Sequence, residues 1–323
     1  MSLDSDVIVD RRRIRRKLTF WRVIAALVVI AAIIAVAVVA TPAGRGTFTA
    51  SGSIARVHID GLIRSDNDRV EALERLEKSS AAAVVVHINS PGGTTAGSEQ
   101  LYDALVRLKA KKPLVVVVEG LAASGGYIAA ISADHIVAQQ SSLVGSIGVL
   151  FQYPNFTELM KTVGVKVEEV KSSPLKAAPN GFEPTSPEAR AALDSLVKDS
   201  YAWFRGMVQT RRSMDAGQLE KVADGRVFTG RQAVDLRLID QLGDEKTAVA
   251  WLVAEKKVKS GLPVRDFSLA PKFSDLTFLR AATSVALEAV GLNSIAQQFG
   301  VGQALQQFGL DGMLALWRPA GTN

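Results

Sequence analysis

The sequence predicts an α/β fold in which helices cover both faces of a parallel sheet. Three short, mainly apolar runs have the length and the Val, Ile and Leu content of buried strands, and they lie at 54–59, 82–88 and 114–118. Amphipathic stretches separate the runs, as is typical of parallel strands joined by crossover helices. Glycine-rich segments at 89–93 and 120–126 follow the second and third runs. We therefore expect two glycine-rich turns at the carboxyl edge of the sheet, where ligands bind in this fold class.

The remaining elements follow from hydrophobic periodicity and from helix-end signals. Apolar residues recur at helical spacing in 67–78 and in 101–108, which predicts two helices with one buried face each. Small residues after the third strand predict another helix over 124–132. In the second half, Ser186-Pro-Glu188 combines an N-cap residue with proline at the first helical position, so a long helix should run to about Arg212. A short helix over 216–223, and a turn, a helix and a short strand within 224–243, complete the predicted order.

Composition indicates a folded protein and excludes several kinds of site. The chain has 323 residues, of which 48% are hydrophobic and 22% charged, enough for one large or two ordinary domains with a substantial core. Seven basic and three acidic side chains in residues 1–22 contribute +4 of the net charge of +6, so a nucleic-acid-binding patch elsewhere is disfavoured. The absence of cysteine excludes disulfides, thiolate metal sites and a thiol nucleophile, but does not identify the compartment.

Residues 23–40 form a predicted membrane anchor. They include no charged residue and are close to the length that a helix needs to cross a bilayer. Because basic flanks stay in the cytoplasm, residues 1–22 should be a cytoplasmic segment of an inner-membrane protein, with the bulk of the chain periplasmic or extracytoplasmic. The alternative is a cleaved signal peptide ending near Ala37–Ala40, but the apolar stretch is longer than such signals usually have. Residues 41–53, rich in glycine and small polar types, are predicted to be a linker.

Ser124 is the candidate nucleophile. It lies in the run Gly120-Leu-Ala-Ala-Ser-Gly-Gly-Tyr127, where a buried strand gives way to a helix, so its hydroxyl should be accessible and close to backbone N–H groups. A serine hydroxyl needs a base to become an effective nucleophile. For the three histidines, His58, His87 and His135, we favour structural roles, although His87 lies close to the first glycine-rich segment. A lysine is the other option, and it must be neutral, which requires burial against apolar groups.

Four motifs in sequence carry a family resemblance. They are Asn89-Ser-Pro-Gly-Gly93, Ala123-Ser-Gly-Gly-Tyr127, Gly145-Ser-Ile-Gly-Val149, and Asp224-Gly-Arg-Val-Phe-Thr-Gly230 continuing to Leu238-Ile-Asp240. Over residues 54–257 the chain resembles bacterial signal peptide peptidase A in its short, single-repeat form. The resemblance implies a Clp protease/crotonase-like fold and a Ser-Lys serine endopeptidase that needs no metal or organic cofactor. It also implies remnant signal peptides and other membrane-associated peptides as substrates, and a homo-oligomeric, dome-shaped ring, with an octamer as a candidate, whose catalytic pairs are shared between neighbouring subunits.

The resemblance assigns the catalytic pair by position. Ser124 matches the family nucleophile. The base falls in Val170-Lys-Ser-Ser-Pro-Leu-Lys176, because the family has a lysine a few residues beyond a strand that ends in Lys-Ser. We assign the base to Lys176. The rival, Lys171, lies at the expected strand end, and the family spacing disfavours it.

Three further positions complete the predicted site. The backbone N–H groups of Gly93 and Gly125 are expected to hold the oxyanion that forms when a peptide carbonyl is attacked. Ser146 matches a family serine that orients the lysine amine. Its alternative role is that of an ordinary serine at the start of a strand.

Residues 258–323 form an extension beyond the motifs. We expect one or two amphipathic helices there, packed against neighbouring subunits or, as a second choice, lying on the membrane surface. Two other classes of function remain as alternatives. A crotonase-like acyl-CoA enzyme could use the same glycine oxyanion hole, but export and the Ser/Lys pair argue against it. A catalytically silent, membrane-tethered scaffold would keep the fold without needing Ser124.

Overall fold

A nine-stranded sheet organises the residues that the structure, a computed structural model, describes: 52–269 and 314–316. The strands are β1 (Ile54–Ile63), β2 (Ala83–Thr94), β3 (Leu114–Ala123), β4 (His135–Ala138), β5 (Leu143–Gly145), β6 (Val227–Thr229), β7 (Gln241–Leu242), β8 (Val264–Asp266) and β9 (Leu314–Leu316). The helices are α1 (Asn67–Glu77), α2 (Thr95–Lys109), α3 (Gly125–Ala130), α4 (Thr157–Val163), α5 (Pro187–Arg212), α6 (Ala216–Val222), α7 (Gly230–Asp235) and α8 (Glu245–Glu255). The alternation of strands and helices confirms the predicted α/β class.

The sheet is mixed rather than purely parallel. Its strand order is β6-β5-β3-β2-β1-β8, with β4 paired to β3 and β7, and β9 paired to β2. The pairs are parallel except for β5–β6 and β2–β9. The expectation of a parallel sheet was therefore wrong at these two pairs. Both involve three-residue strands from late in the chain, and an antiparallel neighbour needs no crossover helix to reach its place.

Both faces of the long strands are buried. Side chains alternate between the two faces of a strand, and Val85, Val115 and Val117 form one cluster with Ala248 and Leu252 of α8. The intervening residues are also fully buried; they are Val84, Val86, Val116 and Val118. On this second face α2 and α3 pack against β2. Each fully buried valine contributes about 1.5 kcal/mol or more, so these three strands form the stable centre of the fold.

The glycine-rich segment 89–93 is extended, which corrects the prediction of a turn there, whereas 120–126 holds the end of β3, a turn at Ser124 and the start of α3. β2 continues to Thr94 and β3 to Ala123, with one irregularity in their pairing after Ile88. Gly93 still pairs with Ile63 of β1. A Cβ atom on Gly93 would lie 1.7 Å from the Ile63 carbonyl oxygen, so glycine here permits the close approach of two strands rather than a turn. Both segments nevertheless lie at the carboxyl ends of their strands, as predicted.

The long helix of the second half begins and ends as its sequence predicts. The Ser186 hydroxyl accepts a hydrogen bond from the Ala189 N–H, and Pro187 occupies the first turn of α5. Near its end, the Arg211 guanidinium donates to three consecutive carbonyls just beyond α3, those of residues 131–133. This contact fixes α5 to the end of the short helix that follows Ser124.

The segment 150–182, which we call the arm, differs from the rest of the described chain. Its helix α4 has no buried residue. The part of the arm that leads to Lys171 forms no strand, so the predicted strand there was wrong. Ten large apolar side chains on the arm are exposed by 36% or more: Leu150, Phe151, Phe156, Leu159, Val163, Val165, Val167, Val170, Leu175 and Phe182. With so few buried contacts, local hydrogen bonds and ion pairs hold the arm, such as those of Asn180 and Lys171 with Glu169 and Glu183.

The predicted anchor over 23–40 and most of the predicted extension lie outside the described residues. Within residues 52–269, no helix combines the length and the apolar character that a membrane span requires. Two parts of the extension are described, residues 258–269 and 314–316, and they contribute the strands β8 and β9 to the sheet.

Candidate active site

Ser124 occupies a sharp junction between β3 and α3. Its backbone has φ of 54° and ψ of −116°, a conformation that residues other than glycine rarely adopt. The surroundings hold this conformation, because the Ser124 N–H donates to the Gly145 carbonyl (2.7 Å) and the Ser124 carbonyl accepts from Tyr127 and Ile128 (2.9 Å each). The prediction that Ser124 precedes a helix is confirmed. Such a junction presents one side chain on a rigid support, as a nucleophile requires.

The Ser124 hydroxyl faces the segment that follows β5. Its oxygen lies 3.5 Å from the Gly148 carbonyl oxygen, a long contact, and the residue is 1% exposed in a single chain, so the expectation of an accessible hydroxyl was wrong. The hydroxyl is therefore held in no tight hydrogen bond within the described residues. A weakly held hydroxyl is free to turn toward a base.

Each of the three histidines contacts other side chains in the described structure. His87 lies between two carboxylates, with Nδ1 2.7 Å from Glu119 and Nε2 2.7 Å from Glu245. His135 stacks on Trp251, with a ring separation of 4.5 Å, and His58 lies beside His87. These partners agree with the structural roles that we favoured, which remain predictions.

Glu245 also belongs to a network of charged side chains that includes Arg56 and His87. The Arg56 guanidinium donates to both of its carboxylate oxygens (2.5 and 2.6 Å), and His87 contacts one of them. The hydrogen bonds from Arg56, and then from His87, hold the pKa of Glu245 below its ordinary value. The network thus ties the start of α8 to β1 and β2.

The glycines near Ser124 bring its neighbours into close contact. Gly126, in the first turn of α3, has no room for a Cβ atom, which would lie 2.6 Å from the Ser90 carbonyl oxygen. The Ser90 hydroxyl donates to the Gly61 carbonyl and accepts from the Gly92 N–H. Of the two predicted oxyanion donors, Gly125 is the residue after Ser124. Gly93 lies near the end of β2, where it pairs with Ile63 of β1.

Ser146 is connected to Ser124 through the backbone of Gly145. Like Ser124 it has positive φ (52°), it is 6% exposed, and its N–H donates to the Arg226 carbonyl (2.8 Å). The preceding residue, Gly145, accepts the Ser124 N–H bond and pairs with Val227 of β6. The structure therefore places Ser146 directly after the residue that accepts the Ser124 N–H hydrogen bond. The motif that begins at Asp224 supports this turn through Arg226 and Val227.

A pocket of about 480 Å³ opens beside Ser146 and Gly148. Its lining is mostly apolar and comes from three parts of the chain: residues 146–150, residues of α5 including Val197 and Tyr201, and residues 223–225. Sequence reasoning missed this pocket. Because its walls come from segments far apart in the chain, only the tertiary fold could reveal it.

Lys176 is not brought to Ser124 by the contacts of a single chain. It lies on the arm in an irregular stretch, is exposed, and its amine has no hydrogen bond or ion pair within residues 52–269. Its backbone N–H donates to the Ser173 carbonyl. The rival, Lys171, is bound by Glu169 (2.7 Å) and Glu183 (2.5 Å). Those hydrogen bonds raise the pKa of Lys171, which keeps it protonated and unsuited to act as a base.

The comparisons with known proteins agree with the motifs. Residues 106–259 match the model of peptidase family S49, and residues 63–142 match that of Clp protease. A Synechocystis sp. protein, slr0021, which carries the name of a protease, is 36% identical over 200 residues, covering 61% of this chain and 72% of that protein. The chain belongs to peptidase family S49.

Two further comparisons describe the extent of the similarity. Protease 4 of Haemophilus influenzae is 29% identical over 233 residues, which are 69% of this chain and 38% of protease 4. The chain thus matches well under half of that S49 relative. A solved structure, a mutant of the 1510-N membrane-bound stomatin-specific protease, aligns over 68% of this chain and 99% of its own with 13% identity and a TM-score of 0.44. The S49 match confirms the predicted family and the serine peptidase class.

Proposed function

We propose that the protein is a membrane-anchored serine endopeptidase in which Ser124 is the nucleophile and Lys176 the base. The observation that carries the proposal is the junction at Ser124. A serine with positive φ follows a buried strand and directly precedes Gly125, a predicted oxyanion glycine, in a chain of family S49. The alternative of a silent scaffold gives no reason for a non-glycine residue in so unfavourable a conformation.

The proposed reaction proceeds through an acyl-enzyme. The neutral Lys176 amine takes the Ser124 proton as the oxygen attacks the scissile carbonyl carbon, and the negative charge moves to the carbonyl oxygen. The N–H groups of Gly93 and Gly125 hold that oxyanion, and one such donor contributes roughly 3 kcal/mol. The protonated lysine then gives its proton to the leaving amine as the C–N bond breaks. A water molecule, deprotonated by the same lysine, releases the acyl group and restores Ser124.

The base is proposed to come from a neighbouring copy of the chain. An amine works as a base where apolar surroundings favour its neutral form, and Lys176 is exposed in one chain. The arm that carries it exposes ten large apolar side chains, which a second subunit would cover. We therefore propose a homo-oligomeric ring in which the arm packs on the next subunit. In that arrangement Ser146 orients the incoming amine.

The substrates proposed are peptides with small or apolar side chains, such as signal peptides left in the membrane. The pocket beside Ser146 and Gly148 has mostly apolar walls and room for one such side chain. The apolar stretch at 23–40 would hold the site near the bilayer, with the catalytic part outside the inner membrane. Sedimentation of the full chain with membranes, compared with residues 41–323, tests the anchor.

Peptide hydrolysis by the full-length protein tests the catalytic pair. Ser124→Ala should lower kcat/KM at least about 10³-fold. Ser132→Ala, which alters a buried serine just beyond α3, the helix that follows Ser124, should retain activity. Lys176→Ala should match the loss in Ser124→Ala, and Lys171→Ala should not. Hydrolysis that survives Ser124→Ala would instead favour the scaffold, with a contaminating peptidase as the source.

A further inference from the structure

A strand from near the end of the sequence lies beside the glycine end of β2. β9 pairs antiparallel with residues 92–94 and sets Ala315 opposite Gly93. On its other side, the same part of β2 pairs with β1, with Ile63 opposite Gly93. Because a strand has two hydrogen-bonding edges, β9 must occupy the edge that faces β3.

That edge of β2 leads to the nucleophile. β3 pairs with β2 as far as Ala122, opposite Ser90, and then pairs with β5, ending with Ala123 opposite Gly145. The next residue is Ser124, bound through its N–H to the Gly145 carbonyl. The two strands thus diverge immediately before the nucleophile. β9 takes the place beside β2 that β3 has left.

We propose that residues 314–316 form an autoinhibitory strand that occupies the peptide-binding edge of the Ser124 site. This inference rests on the proposed function. An extended peptide binds to a free strand edge through main-chain hydrogen bonds, so any substrate that uses residues 92–94 must displace β9. The segment reads Leu-Ala-Leu, which is uncharged and apolar like the peptides proposed as substrates. It also sets a peptide backbone opposite Gly93, the proposed oxyanion donor.

Covalent attachment makes so short a strand an effective competitor. A linked segment acts at an effective concentration that can reach the millimolar range, although three residues would bind weakly as a free peptide. Occupancy in the same chain reduces the fraction of sites open to substrate. It therefore raises the apparent KM and leaves kcat unchanged once substrate saturates the site.

Proline substitutions in the full-length protein test this inference. Alternate residues of an antiparallel strand direct their N–H groups to the same neighbour. Ala315→Pro and the double variant Leu314→Pro/Leu316→Pro therefore remove the two possible sets of bonds to β2. At least one variant should lower KM about tenfold at unchanged kcat. Thr322→Pro, outside the paired segment, is the matched control and should behave as wild type.

Amide hydrogen exchange gives a second readout that does not depend on activity. Residues 92–94 should lose protection in the variant that lowers KM, while the buried part of β2 over 83–88 stays protected. Unchanged exchange at 92–94 in both variants would overturn the pairing, and lost protection with unchanged KM would overturn the inhibitory role. If wild type shows no Ser124-dependent hydrolysis, the proposed function fails, and exchange still decides whether β9 covers this edge.

A synthetic peptide of residues 310–320 provides the complementary test. Added to the activated variant, it should inhibit competitively, and the same peptide with proline at position 315 should inhibit less. Equal inhibition by both peptides would show that backbone pairing at residue 315 is not the basis of the effect.

Discussion

The two halves of the proposed catalytic pair lie in regions of opposite character. Ser124 belongs to the packed sheet, where its backbone is held by Gly145, Tyr127 and Ile128 and is almost inaccessible. Lys176 belongs to the arm, where Val170 is 106% exposed and α4 has no buried residue. The difference shows that contacts within one chain hold Ser124 in place, whereas Lys176 lies exposed on the arm.

Mixing two inactive variants gives the largest expected effect. If the pair is shared, oligomers formed from Ser124→Ala and Lys176→Ala chains will contain sites with both functional groups. Random mixing should restore about a quarter of the wild-type kcat per site from a background near zero. The measurement is peptide hydrolysis after co-refolding or co-expression. Mixed oligomers without activity would place both groups of the pair in the same chain.

Gly93→Ala should have the next largest effect, because it alters the packed sheet around Ser124. The new Cβ atom would lie 1.7 Å from the Ile63 carbonyl oxygen, so β1 and β2 must separate and the Gly93 N–H must move. We expect kcat to fall by about 10² or more and the free energy of unfolding to fall by about 1–3 kcal/mol. Gly206→Ala, in α5 with open space around it, is the control and should not lower either quantity. Wild-type kcat in Gly93→Ala would remove Gly93 from the oxyanion hole.

Charging the arm should weaken assembly and leave the fold intact. Leu159 and Val163 lie one helical turn apart in α4 and are 60% and 61% exposed. Replacing both with Asp should dissociate the oligomer in sedimentation experiments and lower activity about tenfold or more at low protein concentration. Thr162→Asp adds charge to the same helix and should have a smaller effect. Intact oligomers in the double variant would show that this face of the arm stays uncovered.

Ser146→Ala should have the smallest effect of these changes. If its hydroxyl orients the lysine amine, its loss should lower kcat about tenfold with little change in KM, because the dyad itself remains. Ser142 is a matched control, since its buried hydroxyl donates to the Val118 and Glu119 carbonyls. Its alanine variant should lose stability but retain kcat. Equal kcat values for Ser146→Ala and wild type would leave Ser146 with a structural role.

The parts of the fold that sequence predicts are those governed by local rules. Strand burial, the Ser186 cap of α5 and the helix after Ser124 depend on periodicity and on helix-end chemistry, and all are confirmed. The glycine segment at 89–93 was misjudged because glycine suits a close strand approach as well as a turn. β9 and the pocket beside Ser146 join segments far apart in sequence, which no local pattern reveals. The arm was misjudged for a different reason: ten of its large apolar side chains stay exposed in the described structure, so apolar character there does not indicate a buried strand.

The backbone at Ser124 has a consequence for heat resistance. A non-glycine residue with φ of 54° costs about 1–3 kcal/mol relative to a relaxed conformation. Ser124→Gly would remove that penalty together with the hydroxyl, although glycine also gains entropy in the unfolded chain. Residue 124 thus affects activity and stability in opposite directions. Both Ser124→Gly and Ser124→Ala should be inactive, but the glycine variant should denature at a higher temperature than the alanine variant.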